Sequence, residues 1–251
     1  MNKKIISILS VVLVLLIWEV VSVNNLVNKT LFPPPSNALQ SLINMFSNGI
    51  LLNDIKSSIW RLTTGLILGS FTGMVVGVLT GRIKIISFVL TPLVNMLRPL
   101  PPVALIPLII VWFGIDDISK IFSIAYGVFF PVWINVHIGS QNISLKYLWT
   151  AKIFIQRRFK IFTKVILPAT LPYIVAGIRS GIAMGFIMVF VSELAGASSG
   201  IGYRISVSHL AYKIDDMIAA LFVLGFLGYV YDYLFVRIIR KVFPWINLSS
   251  G

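Results

Sequence analysis

Ile5 to Val23 is a run of nineteen residues with one charged side chain, Glu19, and five more apolar stretches at least as long follow it. A helix rises about 1.5 Å per residue, so some twenty residues cross the roughly 30 Å of bilayer hydrocarbon. In lipid every backbone amide and carbonyl must find its partner inside the protein, which leaves helices or closed barrels. Continuous apolar runs of this length dictate helices. Composition agrees: 57% of the 251 residues are hydrophobic and 12% charged, whereas a soluble domain of this size needs far more charge to cover its surface. The expected fold is an all-α integral membrane protein with about six transmembrane helices.

The first run follows Lys3 and Lys4 but has no small-x-small cleavage site and exceeds a signal-peptide core in length, so it reads as a retained span. A polar segment over 24–56 carries Pro33-Pro34-Pro35 and then Ser36, an expected N-cap for a surface helix over Ala38–Phe46. The second span, Ser57–Thr80, holds Gly65, Gly69, Gly73 and Gly77; a glycine every fourth residue lets another helix approach closely. The third apolar stretch, 85–113, is interrupted by Arg98-Pro99-Leu100-Pro101-Pro102 and Pro107. Two separate spans of about thirteen residues would each be too short, so one interrupted span is expected. Broken helices persist in lipid where the freed backbone is buried or lines a cavity, which makes 98–107 a candidate pathway lining. Further spans are expected over Ile118–Ile138, Ile174–Leu194 and Ile218–Ile238, while 195–216 is too polar to cross.

Between the fourth and fifth spans lies a basic segment, 142–172, with Lys146, Lys152, Arg157, Arg158, Lys160 and Lys164 and no acidic residue. At helical spacing Leu145, Leu148, Ala151, Ile155, Phe159 and Phe162 form one apolar stripe. One basic amphipathic helix, or two end to end, is expected here, stopped by Pro168 and Pro172. Such a helix presents a surface to a partner, lies on anionic lipid, or simply marks topology. With the amino terminus inside, the inside loops hold thirteen basic residues: Lys3, Lys4, Arg82, Lys84, these six, Arg237, Arg240 and Lys241. The outside segments hold six, Lys29, Lys56, Arg61, Lys120, Arg204 and Lys213, so both termini are expected in the cytoplasm.

Several activities are excluded. There is no cysteine, so thiolate metal sites and disulfides are absent, and His137 and His209 have no ligand-like spacing. No G-x-x-x-x-G-K-[ST] run exists to cradle a nucleotide phosphate, so any ATP and Mg would be bound by another chain. The net charge of +13 follows the topology and not a nucleic-acid face. Charged groups at membrane depth remain as suspects: Arg98 beside the proline break, lining a pathway or snorkelling to the outer interface; Arg179 near the inner surface where snorkelling is expected; Glu193 as a helix-end hydrogen-bonding group, a gate or a contact to a binding protein; and Asp232, placed to pair with a cation or sit at a helix interface, without a nameable partner.

An ordered set of segments resembles the membrane subunit of an ABC importer, in the branch handling nitrate, sulfonates, taurine, bicarbonate and certain vitamin precursors. They are Leu31-Phe-Pro-Pro-Pro-Ser36; Arg98-Pro-Leu-Pro-Pro-Val-Ala-Leu-Ile-Pro107 with Trp112-Phe-Gly114; Phe129-Phe-Pro131; Val165-Ile-Leu-Pro-Ala-Thr-Leu-Pro172 with Gly177-Ile-Arg179; and Ser192-Glu-Leu-Ala-Gly-Ala-Ser-Ser-Gly-Ile-Gly-Tyr203. The resemblance implies a type I importer permease-like core with an additional N-terminal span. It implies an anchor helix over 1–23, an extracytoplasmic segment over 24–56, and a five-span core over 57–251 with a cytoplasmic coupling loop at 140–173.

In that family the loop carries an EAA signature whose helix docks on the ATPase. Counted back from Val165-Ile-Leu-Pro168, the Glu-Ala-Ala positions fall on Trp149, Thr150 and Ala151, and the signature glycine on Ile155. Only Ala151 keeps the family residue. Glycine there permits a tight turn, whereas Ile155 favours a continuous helix or a different bend. The implied coupling residues are Leu148, Trp149, Ala151, Lys152, Ile155, Gln156, Arg157, Phe159, Pro168 and Pro172. The pathway or gate candidates are Arg98, Pro99, Pro101, Pro102, Glu193, Ser198, Ser199, Gly200 and Tyr203; for an oxyanion solute, exposed amides at Ser198–Gly200 and Arg98 are the expected contacts. The implied partners are a second permease copy, two ABC ATPase subunits and an extracytoplasmic solute-binding protein. An ion-gradient transporter is the alternative, and would favour a midplane charge site and repeated halves, neither of which is visible. A membrane-bound enzyme would need a clustered His, Asp or Ser set, and none is visible. The solute is left open.

Overall fold

The structure, a computed structural model, describes residues 3–155 and 157–246. All secondary structure among them is helical. The chain divides into two compact units, Met1–Ser58 with Ser198–Phe226, and Ile59–Ala197 with Leu227–Gly251.

The first unit contains α1 (Lys3–Val23), α2 (Pro35–Ser47), α10 (Ile201–Leu210), and the first turns of α3 (Ile50–Arg82) and α11 (Ile214–Val242). Trp18 of α1 packs its ring 5.3 Å from that of Phe32 and 6.0 Å from that of Phe222. The Ser22 hydroxyl donates to the Phe32 carbonyl at 2.6 Å. The surface helix is present, but its cap differs from the sequence expectation. Extended Pro34 is the N-cap and Pro35 opens the helix, its ring fixing a helical φ where no N–H is needed. Ser36 instead donates its amide (3.1 Å) and hydroxyl (2.7 Å) to the Glu19 carboxylate, so an acidic side chain from α1 satisfies the orphan first turn of α2. The Ser41 hydroxyl donates to Asp216 in the first turn of α11.

The second unit holds the remainder of α3, then α4 (Lys84–Leu97), a 3₁₀ turn (Pro102–Leu105), α5 (Ile106–Phe113), α6 (Asp117–Gln141), α7 (Leu145–Phe154), α8 (Arg158–Ile161), one π-helical turn (Phe162–Ile166), α9 (Leu167–Leu194) and the rest of α11. Its core is drawn from α3, α5, α6 and α9, with Leu62, Ile106, Ile124, Val128, Val132, Val136, Ile182 and Met188 fully buried. Among the described residues, four helices are long and apolar enough to cross a membrane: Ile50–Arg82, Asp117–Gln141, Phe159–Leu194 and Ile214–Val242. The proline-rich interruption is a real break: Lys84–Leu97 and Pro102–Phe113 meet at 84°. The segment expected as the first span is helical as α1, but its apolar part among the described residues, Leu9–Val23, is shorter than these four helices.

The glycine strip of α3 packs as its spacing predicts. A Cβ on Gly69 would stand 2.8 Å from the Val128 Cβ, and one on Gly77 2.8 Å from the Val136 Cβ, both on α6. Within lipid, helices associate through close van der Waals packing and not through release of water, so this strip sets how near α3 and α6 can lie. Gly69→Leu is therefore expected to lower stability by about 1–3 kcal/mol, read as a fall in thermal unfolding midpoint in detergent. Gly225→Ala, with nothing within 4 Å of the added Cβ, serves as the neutral control.

One expectation is overturned. Pro168 and Pro172 do not stop the loop helix: a continuous helix runs Phe159–Leu194 through both. The π turn immediately before Pro168 alters the hydrogen-bond register where the proline ring would otherwise clash with the preceding turn. The same turn lets Pro168 sit in the first turn of α9.

Candidate functional site

The basic loop folds as α7 and, after a bend at Ile155, the opening turns of the helix that continues to Leu194. Helix α7 ends at Phe154, and Ile155 adopts an extended conformation (φ −124°, ψ 104°), which suits a β-branched residue. Of the two outcomes open for Ile155 in place of glycine, the chain takes the bend. Ala151 is buried, while Leu148, Ile155 and Phe162 are half-buried, so much of the predicted stripe faces its own chain. Phe159 departs from it and is 75% exposed. A second apolar set, which the stripe did not include, points outward: Tyr147, Trp149, Ile153 and Phe154 are 61–80% exposed. At the bend, Phe154, Ile155, Arg157, Lys160 and Lys164 line a cleft of about 360 Å³. Lys152 and Arg157 are exposed. Gln156 lies outside the described residues. The result is an apolar and cationic surface with no carboxylate in it, suited to a partner groove offering apolar floor and acidic walls.

The acidic residue singled out at the end of α9 proves to be buried. Glu193 is 1% exposed and accepts from Arg61 Nη1 at 2.8 Å; Arg61, 4% exposed, also donates from Nε to Asp117 Oδ1 at 2.8 Å. Lys120, also buried, donates from Nζ to the carbonyls of Ile115 and of Asp116 (3.1 Å for the latter). A direct contact of Glu193 with a binding protein is thus corrected: its carboxylate is held inside the unit, tying α3 to α9, while Asp117 ties α3 to α6. Sequence reading counted Arg61 only as a topology charge. The available signal was that Arg61 is the one charged side chain of the expected span Ser57–Thr80, a placement that demands an acidic partner.

Arg179 and Asp232 are also paired. Nε and Nη2 of Arg179 donate to the two carboxylate oxygens of Asp232 at 2.9 and 3.0 Å, a bidentate bridge between α9 and α11. The arginine therefore does not snorkel free, and Asp232 has its partner.

In the other unit, the Ser198–Gly200 turn precedes α10. Gly200 has φ +118°, a conformation glycine alone adopts without strain. Its amide donates to Asp54 Oδ1 at 2.9 Å, the Ile201 amide to Ser58 Oγ at 2.9 Å, and Arg204 Nε to Asp54 Oδ2 at 2.8 Å. The expected solute contact through the Gly200 amide is corrected: Gly200 is buried and its donor is already engaged by α3. Ser198 is exposed, and Ser199 and Tyr203 are half-exposed. Arg98, Pro99 and Pro101 are exposed at the 84° break and Pro102 is half-buried. Among the described residues no hydrogen bond or ion pair joins Arg98 to Glu193, and no group of three or more His, Asp or Glu could hold a metal ion.

The binding-protein-dependent transport system inner membrane component family matches residues 65–244. The chain belongs to this family. Among its relatives, an aliphatic sulfonates transport permease protein of Bacillus subtilis is 34% identical over 239 residues, covering 95% of this chain and 86% of the relative. The taurine transport system permease protein of Escherichia coli is 26% identical over 244 residues, covering 95% and 89%. An inward-facing methionine ABC transporter structure superposes with a TM-score of 0.67 at 20% identity, covering 77% of this chain and 96% of that one, a likeness of fold. The permease is thus the multi-pass inner-membrane component of an ABC importer and not an enzyme; membership implies an ATPase and a binding protein as partners. It also decides against the ion-gradient alternative.

Proposed function

We propose that this permease passes a small sulfonate, taurine or a related oxyanion delivered by an extracytoplasmic binding protein. It works as a homodimer, driven by two ATPase subunits that bind ATP and Mg²⁺. The observation that carries the coupling role is the outward apolar set of Tyr147, Trp149, Ile153, Phe154 and Phe159 beside a cationic cleft, on the loop that joins α6 to α9. The solute class is supported by the names of the relatives from Bacillus subtilis and Escherichia coli.

Both termini are cytoplasmic in this reading. The bent element α4–α5 must then cross as one span. Were it to turn back, the six basic residues of 142–172 would face the side opposite Arg82 and Lys84, reversing the positive-inside excess. The bend itself, with Arg98 and three exposed or half-exposed prolines, is where the pathway opens, because interrupted helices in lipid line cavities.

Reconstitution with the ATPase and binding protein tests this. ATP-dependent accumulation of taurine or an alkanesulfonate is expected, and Arg98→Ala should reduce it roughly tenfold or more with assembly unchanged, the loss of one charge-assisted contact. Uptake driven by an ion gradient without ATP would refute the importer reading, and unchanged uptake in Arg98→Ala would refute the role of the bend.

A further inference from the structure

Helix α2 carries no charged residue, and only part of its surface is turned to its own chain. Ala38, Ser41 and Met45 are buried. What remains exposed divides into two strips. Leu39, Ile43 and Phe46, spaced i, i+4 and i+7, are 59%, 54% and 49% exposed and form an apolar strip. Asn37, Gln40, Asn44 and Ser47 form a polar one beside it, where the Gln40 amide donates to Asn44 Oδ1 at 3.3 Å. Water alone satisfies the second strip and leaves the first bare. A boundary between lipid and water satisfies both.

Two contacts fix where α2 lies. At its start the Ser36 amide and hydroxyl donate to Glu19, which stands four residues before the end of α1 at Val23, about 6 Å along the axis. Five residues later the Ser41 hydroxyl donates to Asp216, in the first turn of α11. Helix α2 thus bridges the ends of two apolar helices, at the depth where such helices leave hydrocarbon. The apolar surface is also continuous. Leu9, Leu13, Leu16 and Val20 are exposed along one face of α1, and Leu26 and Leu31 carry that exposure across the connection to α2. A soluble partner on Leu39, Ile43 and Phe46 would leave this neighbouring surface bare. The bilayer around an apolar helix such as α1 extends over all of it.

We propose that α2 is an interfacial helix that docks on the membrane surface. Leu39, Ile43 and Phe46 enter the boundary between headgroups and acyl chains, while Asn37, Gln40, Asn44 and Ser47 face water. With no cation in α2, the attachment comes from apolar burial and is indifferent to lipid charge. Through Glu19 and Asp216 the docked helix holds the ends of α1 and α11 at one depth in the same leaflet. Assignment to the outer leaflet rests on the orientation proposed above; the contact itself does not.

The chain has no cysteine, so single cysteines can be placed on either strip of the full-length permease and labelled with the fluorophore NBD. Each variant, with whatever partners it retains, is placed in phosphatidylcholine vesicles. Quenching by doxyl-labelled phosphatidylcholine is then compared with quenching by aqueous iodide. The ratio of lipid to iodide quenching should be roughly threefold or more higher for Leu39→Cys, Ile43→Cys and Phe46→Cys than for Gln40→Cys, Asn44→Cys and Ser47→Cys. Three exposed positions on each strip keep the comparison intact if one variant folds poorly. Replacing part of the lipid by phosphatidylglycerol should leave the ratios unchanged. Equal ratios on the two strips would overturn the proposal. So would iodide quenching of the apolar strip that disappears only when the binding protein is added, which would make the strip a protein docking face. Ratios that rise with phosphatidylglycerol would overturn attachment by apolar burial. None of these readouts involves ATP or transport, so failure here is separable from failure of the importer reading.

Discussion

Glu193→Ala is expected to destabilise the permease by about 3–5 kcal/mol, because it strips a buried guanidinium of its carboxylate. Arg61 is 4% exposed, and of the two carboxylates it meets at 2.8 Å, Glu193 is fully enclosed while the Asp117 side chain is 52% exposed. Removing the enclosed one leaves the charge of Arg61 in a low-dielectric site without its buried carboxylate. Glu193→Gln should cost less, since an amide oxygen still accepts from Nη1 although it no longer balances charge. Arg61→Met with Glu193→Met should recover much of the loss, as replacing a buried pair by apolar groups of similar volume often does. The check is a double-mutant cycle on unfolding midpoint in detergent, with transport measured alongside. Additive effects of Arg61→Ala and Glu193→Ala would show that the two side chains do not act as a pair. Recovered stability without recovered transport would instead show that the pair is needed for moving solute.

Ile153→Asp with Phe154→Asp is expected to abolish ATP-driven uptake while leaving the permease folded. These side chains are 77% and 80% exposed, so within this chain they have little packing to lose. In the coupling role proposed above they are the anchors of the ATPase interface. Two apolar anchors of hot-spot quality are worth about 4 kcal/mol together, roughly a thousandfold in affinity. Introducing two carboxylates beside Arg157, Lys160 and Lys164 also offsets two of the three positive charges that an acidic groove would meet. Uptake, ATPase retention and unfolding midpoint should separate: the first two fall and the third holds. A fall in all three would mean that Ile153 and Phe154 are structural.

Local chemistry made much of the fold readable. Apolar run lengths marked the spans, because hydrocarbon thickness sets them, and the i, i+4 glycines of α3 announced a close helix neighbour that proved to be α6. Pro168 misled because a π turn just upstream absorbs what a proline normally breaks, and nothing in Phe162–Ile166 announces such a turn; Pro172 lies inside α9, which continues through it. Ser36 was read as a cap because its type is right; the carboxylate of Glu19, seventeen residues away, took its hydroxyl instead.

The pairs that organise the interior were the hardest to see. Arg61 and Glu193 are 132 residues apart, and Gly200 and Asp54 are 146 apart. Glu193 and Gly200 stood out in the sequence, while Arg61 counted only as a topology charge. Which of them meet depends on which helix faces pack, and no local pattern encodes that. The segment proposed to couple stands out in the sequence by its basic character and its place between spans. Its outward set of Tyr147, Ile153 and Phe154 does not, because the bend at Ile155 turns α7 away from the single stripe that a continuous helix would present.

The central claim is that the 142–172 segment is where a separate ATPase drives this permease. The most direct measurement is purification of the tagged full-length chain from its native membrane in mild detergent, with mass spectrometry of the proteins that accompany it, for the wild type and for Ile153→Asp with Phe154→Asp. The expected result is an ABC ATPase subunit at about one per permease copy with the wild type and its loss from the variant. An ATPase retained equally by both, or none with the wild type under conditions that preserve a control importer, would contradict the account.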